Sequence, residues 1–146
     1  LLTAGRLVRQ RAEIGPDAVI LSTLPATSCA GISAALVPWL LSGGTLVLHH
    51  PIDPVTLRQQ IEREHCNALV VPDAMLSALC ACEWLEPAGI HGVISVWRAP
   101  ERFAAAAQWT NLDVTLVDVA AFGETALLAA RRSPGGRTLP WPTGPL

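Results

Sequence analysis

Two short segments bring together groups that could contact or attack a ligand. Ser28-Cys29 stands where an apolar run gives way to a helix-like pattern. A hydroxyl or a thiol could act as a nucleophile there, because a helix start lowers a thiol pKa. The plainer reading makes Ser28 an N-cap with Cys29 packed inside, since the G-x-S-x-G elbow of a serine nucleophile is absent. Phe122-Gly123-Glu124-Thr125 sets an aromatic, a flexible glycine, a carboxylate and a hydroxyl after a second apolar run. The aromatic can line a flat ligand and the threonine can donate to a phosphate. The competing reading is a tight strand-to-hairpin connection with a packed phenylalanine.

Other candidates carry less. His49-His50 could offer a metal ligand, but no carboxylate or cysteine lies at ligand spacing, and a surface turn is the better expectation. His65 falls where a helix should close, and His91 falls in a loop. Cys80-Ala81-Cys82 is not a C-x-x-C pair, so neither zinc nor redox chemistry is indicated. Gly43-Gly44 follows a helix rather than a strand and reads as a C-cap turn. No phosphate loop and no G-x-G-x-x-G is present. All 10 Lys/Arg positions are arginine, so no lysine of this chain can form a Schiff base or clamp a phosphoryl or acyl group.

Positioning those segments falls to alternating helices and apolar strands. Leu1 to Ile14 has helical apolar spacing and ends at Gly15-Pro16-Asp17. Ala18 to Leu24 is a buried strand. Cys29 to Ser42 is a helix apolar on nearly all sides, which Pro38 should kink. Thr45 to His49 is a strand, and Asp53-Pro54 caps and opens a helix running to about His65. Strands follow at Ala68 to Val71, Val93 to Trp97 and Val114 to Val119. Helices are expected from Pro72 to about Cys82 and from Ala99 to Trp109. Ala126 to Arg132, the turn 133–136 and Arg137-Thr138-Leu139 read as a hairpin, and residues 140–145 are turn-rich. The strands lack polar alternation, so both faces must be covered. The expected fold is therefore α/β, Rossmann-like: a mostly parallel sheet with helices on both faces, residues 1–125, then a hairpin and Pro/Gly-rich tail, residues 126–146. Ligands on such sheets sit at the carboxyl ends of the strands.

Composition bounds the rest. The chain has 146 residues, 51% of them apolar and 15% charged, so it is not a disordered acidic or basic tail. A net charge of -2 offers no electrostatic case for nucleic acid. Mean hydropathy is +0.39, yet Pro38, Gly43 and Gly44 break the longest apolar stretch, and no membrane span is expected. The excess apolarity points to surface covered by more of a larger protein or by a partner chain. Four cysteines inside apolar stretches, with no secretory signal, read as cytoplasmic thiols. A start at Leu1 rather than Met suits a piece of something longer.

At the Phe122 segment the whole order becomes familiar. The chain resembles the middle of the large N-terminal domain of the adenylate-forming ligases: acyl- and aryl-CoA synthetases, luciferases and peptide-synthetase adenylation domains. Ile20 to Gly31 resembles their strand, Leu-Pro turn and following helix. Leu40 to Leu48 resembles the segment L-x-x-G-x-x-x-V-x, Asp53-Pro54 to Pro72 resembles the stretch ending in v-P, and Val114 to Thr125 resembles the strand leading into Y-G-x-T-E. Gly136 to Leu146 looks like the approach to l-G-x-p. The likeness spans nearly the whole chain and rests on order and spacing more than on any one motif.

That resemblance implies activation of a carboxylic acid with ATP and Mg²⁺, then transfer to a thiol of coenzyme A or a carrier protein. It places Phe122 and Gly123, with Ser28 and Cys29, on the acyl pocket, and Thr125 on phosphate. Trp97 and Arg98 stand where the family's Gly-Gly-Ala-like turn lets the backbone approach adenine, and a tryptophan would crowd that approach. Ala126 replaces the magnesium-holding glutamate, and Glu124 comes one position early. The family's phosphate loop should precede Leu1, and its ribose-binding aspartate and catalytic lysine should follow Leu146. The expectation is a central fragment or truncated relative of such a ligase, without catalytic residues or a metal site of its own. It should bind ATP and Mg²⁺ poorly alone and depend on the remainder of a ligase or a partner chain. Two competitors stay open: a degenerate, non-catalytic module engaging a protein or carrier, and an unrelated Rossmann-like nucleotide binder.

Overall fold

The computed structural model describes residues 1–80, 85, 88–98, 109, 111, 113–124 and 126–132. Runs of β-branched and aliphatic residues form five parallel strands: β1 (Val19–Ser22), β2 (Thr45–Leu48), β3 (Ala68–Pro72), β4 (Gly92–Trp97) and β5 (Thr115–Phe122). A sixth, β6 (Ala126–Arg131), returns antiparallel to β5. The sheet order is β2-β1-β3-β4-β5-β6. The direction of strand addition reverses between β1 and β3, the place where open α/β sheets form a crevice.

The central parallel strands are largely apolar on both sides because each side meets helices. On one face Ile20, Val70, Ile94, Val96, Val117 and Val119 pack under α1 (Leu2–Arg11), α2 (Cys29–Gly31) and α3 (Val37–Ser42). On the other, Leu21, Leu69, Val71, Val93, Leu116 and Ala120 meet α4 (Pro54–Glu64) and α5 (Leu76–Cys80). Neighbouring residues of one strand thus serve opposite cores, which is why the strands read as continuous apolar runs.

The helix ends follow the chemistry of their residues. Asp53 caps α4, accepting Thr56 N–H at 2.8 Å, while Pro54 takes the first helical position. His65 closes α4 in a left-handed conformation. The kink expected at Pro38 takes the form of a π turn, Ile32–Leu36, between α2 and α3. Proline has no N–H to give to the carbonyl four residues back, and a widened turn just before it absorbs the mismatch. Gly5 lets α1 lie directly on this bundle: a Cβ there would meet Val37 Cγ1 at 2.3 Å and Val37 Cβ at 2.5 Å.

Three expectations change. The last parallel strand does not stop at Val119 but runs through Phe122, because Ala126 pairs with Phe122 and carries the ladder to the turn. A turn at Gly123-Glu124 follows β5, and β6 belongs to the same sheet. The hairpin turn expected at 133–136 and the tail to 146 lie outside the described residues, as does the expected helix from Ala99 up to Trp109. His49 is not a surface residue. It is 5% exposed, its Nδ1 is 2.8 Å from Gln60 Oε1, and its Nε2 accepts Asp53 N–H at 3.2 Å, so it ties β2 to the start of α4. Among the described residues, no helix is long and apolar enough to cross a membrane.

Candidate functional site

The carboxyl rim of the sheet is where the parallel strands deliver their loops. From one edge to the other it carries His49, Thr23 and Leu24, the segment Pro72 to Met75, Trp97 and Arg98, and the turn after Phe122. At the crevice between β1 and β3, Thr23 Oγ1 donates to Val70 O at 3.3 Å and lies 4.0 Å from Met75 Sδ. Its hydroxyl is thus spent on the sheet.

Ser28 is the N-cap of α2. Its Oγ accepts Gly31 N–H at 2.9 Å and donates to Pro25 O at 2.8 Å. Gly31 permits this tight turn, since a Cβ there would sit 2.1 Å from Pro25 O. Cys29 is 8% exposed, and its thiol points to Glu124 O at 3.7 Å across a sequence separation of 95 residues. The two segments singled out in the sequence therefore meet at one rim. Gly123 makes the meeting possible with φ +57°, a conformation that costs an L side chain about 1–2 kcal/mol.

They meet through a side chain of one segment and the backbone of the other rather than through facing side chains. Phe122 is half-buried and packs on the α4–α5 side, whereas Ala30, next to Cys29, belongs to the α1–α2 side. Gly123 and Glu124 are exposed between them. Thr125 lies outside the described residues.

Trp97 and Arg98 part company. Arg98 is exposed at the end of β4. The Trp97 indole is 4% exposed and donates Nε1–H to Asp118 Oδ1 at 2.8 Å. Asp118 also receives Arg132, Nε to Oδ2 at 2.7 Å and Nη2 to Oδ1 at 2.8 Å. The two charged side chains are 0% and 1% exposed. The signal for both in the sequence is a lone carboxylate inside an otherwise apolar strand, which needs a buried partner. Ser95, opposite Asp118 on β4, is buried with an unpartnered Oγ.

Among the described residues no group of three or more His, Cys, Asp or Glu side chains could hold a metal ion. At the 123–124 turn the carboxylate on offer is the exposed Glu124, and Ala126 has no side-chain oxygen. This donor set does not fit magnesium, which takes oxygen ligands in near-octahedral array. At the amino ends of the strands, on the opposite side of the sheet, a shallow cavity of ≈ 170 Å³ is lined by Asp17, Asn67, His91 and Thr115 among others.

Comparison with solved structures finds the same fold within larger proteins. MatB from Rhodopseudomonas palustris with bound ATP superposes with a TM-score of 0.68 at 16% identity, over 88% of this chain and 26% of that one. The Klebsiella oxytoca NpsA N-terminal subdomain in complex with 3-hydroxyanthranilyl-AMSN matches with a TM-score of 0.67 at 14% identity, over 94% and 37%. The Bacillus subtilis o-succinylbenzoate coenzyme A synthetase MenE, in complex with ATP and magnesium ion, matches with a TM-score of 0.58 at 16% identity, over 86% and 28%. The chain thus spans 26% to 37% of the length of these proteins. No protein-family model matches it, and no curated protein does.

Proposed function

We propose that the chain is a central part, or a truncated relative, of an ATP-dependent acid–thiol ligase, and that its rim forms one wall of the acyl pocket. In this reading Ser28, Cys29, Phe122 and Gly123 face the acid, and Arg98 lies toward the nucleotide. The observation that carries it is the meeting of Cys29 with the 123–124 turn at 3.7 Å, on a sheet whose fold recurs within ligases. Trp97 enters the proposal as a support beneath the rim, given its buried indole.

The wall acts by shape and by backbone. It offers no lysine, and its carboxylates do not suit magnesium, so charge stabilisation of phosphates has to come from outside these residues. The chain alone is accordingly inactive in adenylation. Incubating the 146-residue protein with ATP, Mg²⁺, labelled pyrophosphate and a panel of aliphatic and aromatic acids should give no exchange; turnover would refute the inactive-alone part of the reading. Chemical-shift mapping with an aroyl-AMSN analogue, the kind of ligand NpsA holds, should move the amides of Cys29 and Gly123. Shifts confined to the amino-end cavity would overturn the assignment of the wall.

One observation favours a second reading, a non-catalytic module that engages a protein, such as a carrier, or the rest of a ligase. Leu48, Ile52 and Val55 are 53%, 43% and 67% exposed beside β2, the sheet's edge. Calorimetry with ATP and Mg²⁺ separates the two: clear nucleotide binding by this chain speaks against the degenerate module.

A further inference from the structure

The hairpin that carries the rim turn has a sequence that does not specify its own register. The strand β6 reads Ala126-Leu127-Leu128-Ala129-Ala130-Arg131, with leucine and alanine on both faces. A one-residue slip normally throws apolar residues into water. Here it would exchange alanine for leucine or alanine and cost little. Something other than hydrophobic patterning must choose the pairing in which Phe122 faces Ala126 and Val117 faces Arg131.

Two consecutive arginines at the end of β6 grip the sheet from opposite faces. Arg131 is the exposed grip: Nη1 meets Glu13 Oε1 at 2.6 Å and Nη2 meets Thr115 Oγ1 at 3.0 Å. Such solvent-exposed pairs contribute little. Arg132 is the buried one. Its backbone N–H reaches Leu116 O at 2.8 Å, and its guanidinium forks onto Asp118, which the Trp97 indole holds from β4. The planar fork accepts one placement of the carboxylate, and a slipped strand would leave two charges buried and unpaired.

We infer that Asp118, Arg132 and Trp97 are positioning residues that set the register of β6 against β5 and so seat the 123–124 turn on Cys29. A buried ion pair is a poor way to gain stability, since apolar replacements of similar volume are often neutral or better. Its use here is to select one pairing among near-equal ones. The register assignment stands by itself; its consequence for an acyl-binding wall rests on the function proposed above.

Cysteine accessibility tests it without any ligand. Cys29 sits under the turn, and Cys66, 1% exposed, lies just before β3 and reports global opening. The full chain is pulsed with iodoacetamide and each thiol is followed by peptide mass spectrometry. In the apolar double variant D118L/R132L, Cys29 labelling should accelerate by about tenfold or more, as loss of charge-assisted hydrogen bonds implies, while Cys66 keeps its rate. Equal acceleration of both thiols would reduce the network to general stability and overturn the inference, as would an unchanged Cys29 rate. Trp97→Phe keeps the ring, removes one hydrogen bond and is expected to fold. It should shift Cys29 the same way by a smaller factor, and no selective shift in it counts against the register role if the double variant does not fold.

Discussion

Replacing Gly5 by alanine sets two effects of opposite sign against each other. In an exposed helix interior the change gains about 1 kcal/mol, because alanine loses less backbone freedom than glycine. At this crossing the new methyl would stand 2.5 Å from Val37 Cβ and 2.3 Å from Val37 Cγ1. Carbon atoms pack best about 3.5–4.0 Å apart, so α1 must retreat by roughly 1 Å. Neither Cβ can swing away, since each is fixed to a helix backbone. A gap of that size forfeits about a quarter to a half of the dispersion contact along the stripe that includes Val8, which is fully buried. Overpacking of this kind costs roughly 1–3 kcal/mol. We take the upper half of that range because the contact is backbone-fixed, and expect Gly5→Ala to lose about 1–2 kcal/mol net. Urea unfolding followed by tryptophan fluorescence gives the difference from the shift in midpoint at constant slope. Val37→Ala in the same background removes the 2.3 Å contact but not the 2.5 Å one, and should recover part of the loss. A variant more stable than the parent would show that α1 does not rest on α3 at Gly5, and the packing of this face would have to be redrawn.

Three further outcomes follow from single sites. Ile61 is fully buried in α4 beneath the sheet; Ile61→Ala should cost about 2–5 kcal/mol in the same unfolding experiment. Gly123→Ala should cost about 1–2 kcal/mol from the left-handed φ alone, with nothing within 4 Å to clash, so a neutral result would mean the turn has another conformation. Burial, and then Glu64, push the Cys66 thiol up from 9.0 to about 11. The folded chain therefore holds that proton more tightly than the unfolded one. The contribution is fully present below pH 9 and is lost as pH rises through about 11. Stability measured from pH 8 to 11.5 should fall more steeply in the parent than in Cys66→Ala; parallel curves would show that the thiol is not protected.

Much of the fold can be read from the sequence because each parallel strand is a predominantly apolar run, closed by proline or glycine or followed by a polar cap. Val19 to Ser22 and Ala68 to Pro72 are legible this way, and Asp53-Pro54 announces α4 by cap chemistry alone. What escaped involves partners distant in sequence. The extension of β5 to Phe122 depends on pairing with Ala126, and turn residues hid it. His49 looked like half of an exposed pair because its partner Gln60 lies a helix away. Asp118 and Arg132 are 14 residues apart and join only through the hairpin. At the rim, Ser28 as cap and Cys29 as packed thiol were legible from helix-start chemistry; the carbonyl of Glu124 against Cys29 was not, since backbone groups leave no trace in residue type.

The rim's chemistry follows from where its protons already go. The Ser28 hydroxyl has one proton, and Pro25 O accepts it at 2.8 Å; its oxygen is occupied by Gly31 N–H. To attack a substrate, Ser28 would need a base in place of Pro25 O to take its proton, and among the described residues no such base is hydrogen-bonded to it. The Cys29 thiol is directed at the Glu124 carbonyl. Asp118 has both oxygens filled by Arg132 and Trp97 and holds no lone pair toward solvent. Ser28, Cys29 and Asp118 are thus committed to holding the edge in place, while Arg98 and Glu124 stand exposed on it. A ligand lying along it would be read by the contour of the 123–124 turn and by the ring of Phe122, so exchanging Ser28 for another capping residue should disturb recognition less than moving the turn by one residue.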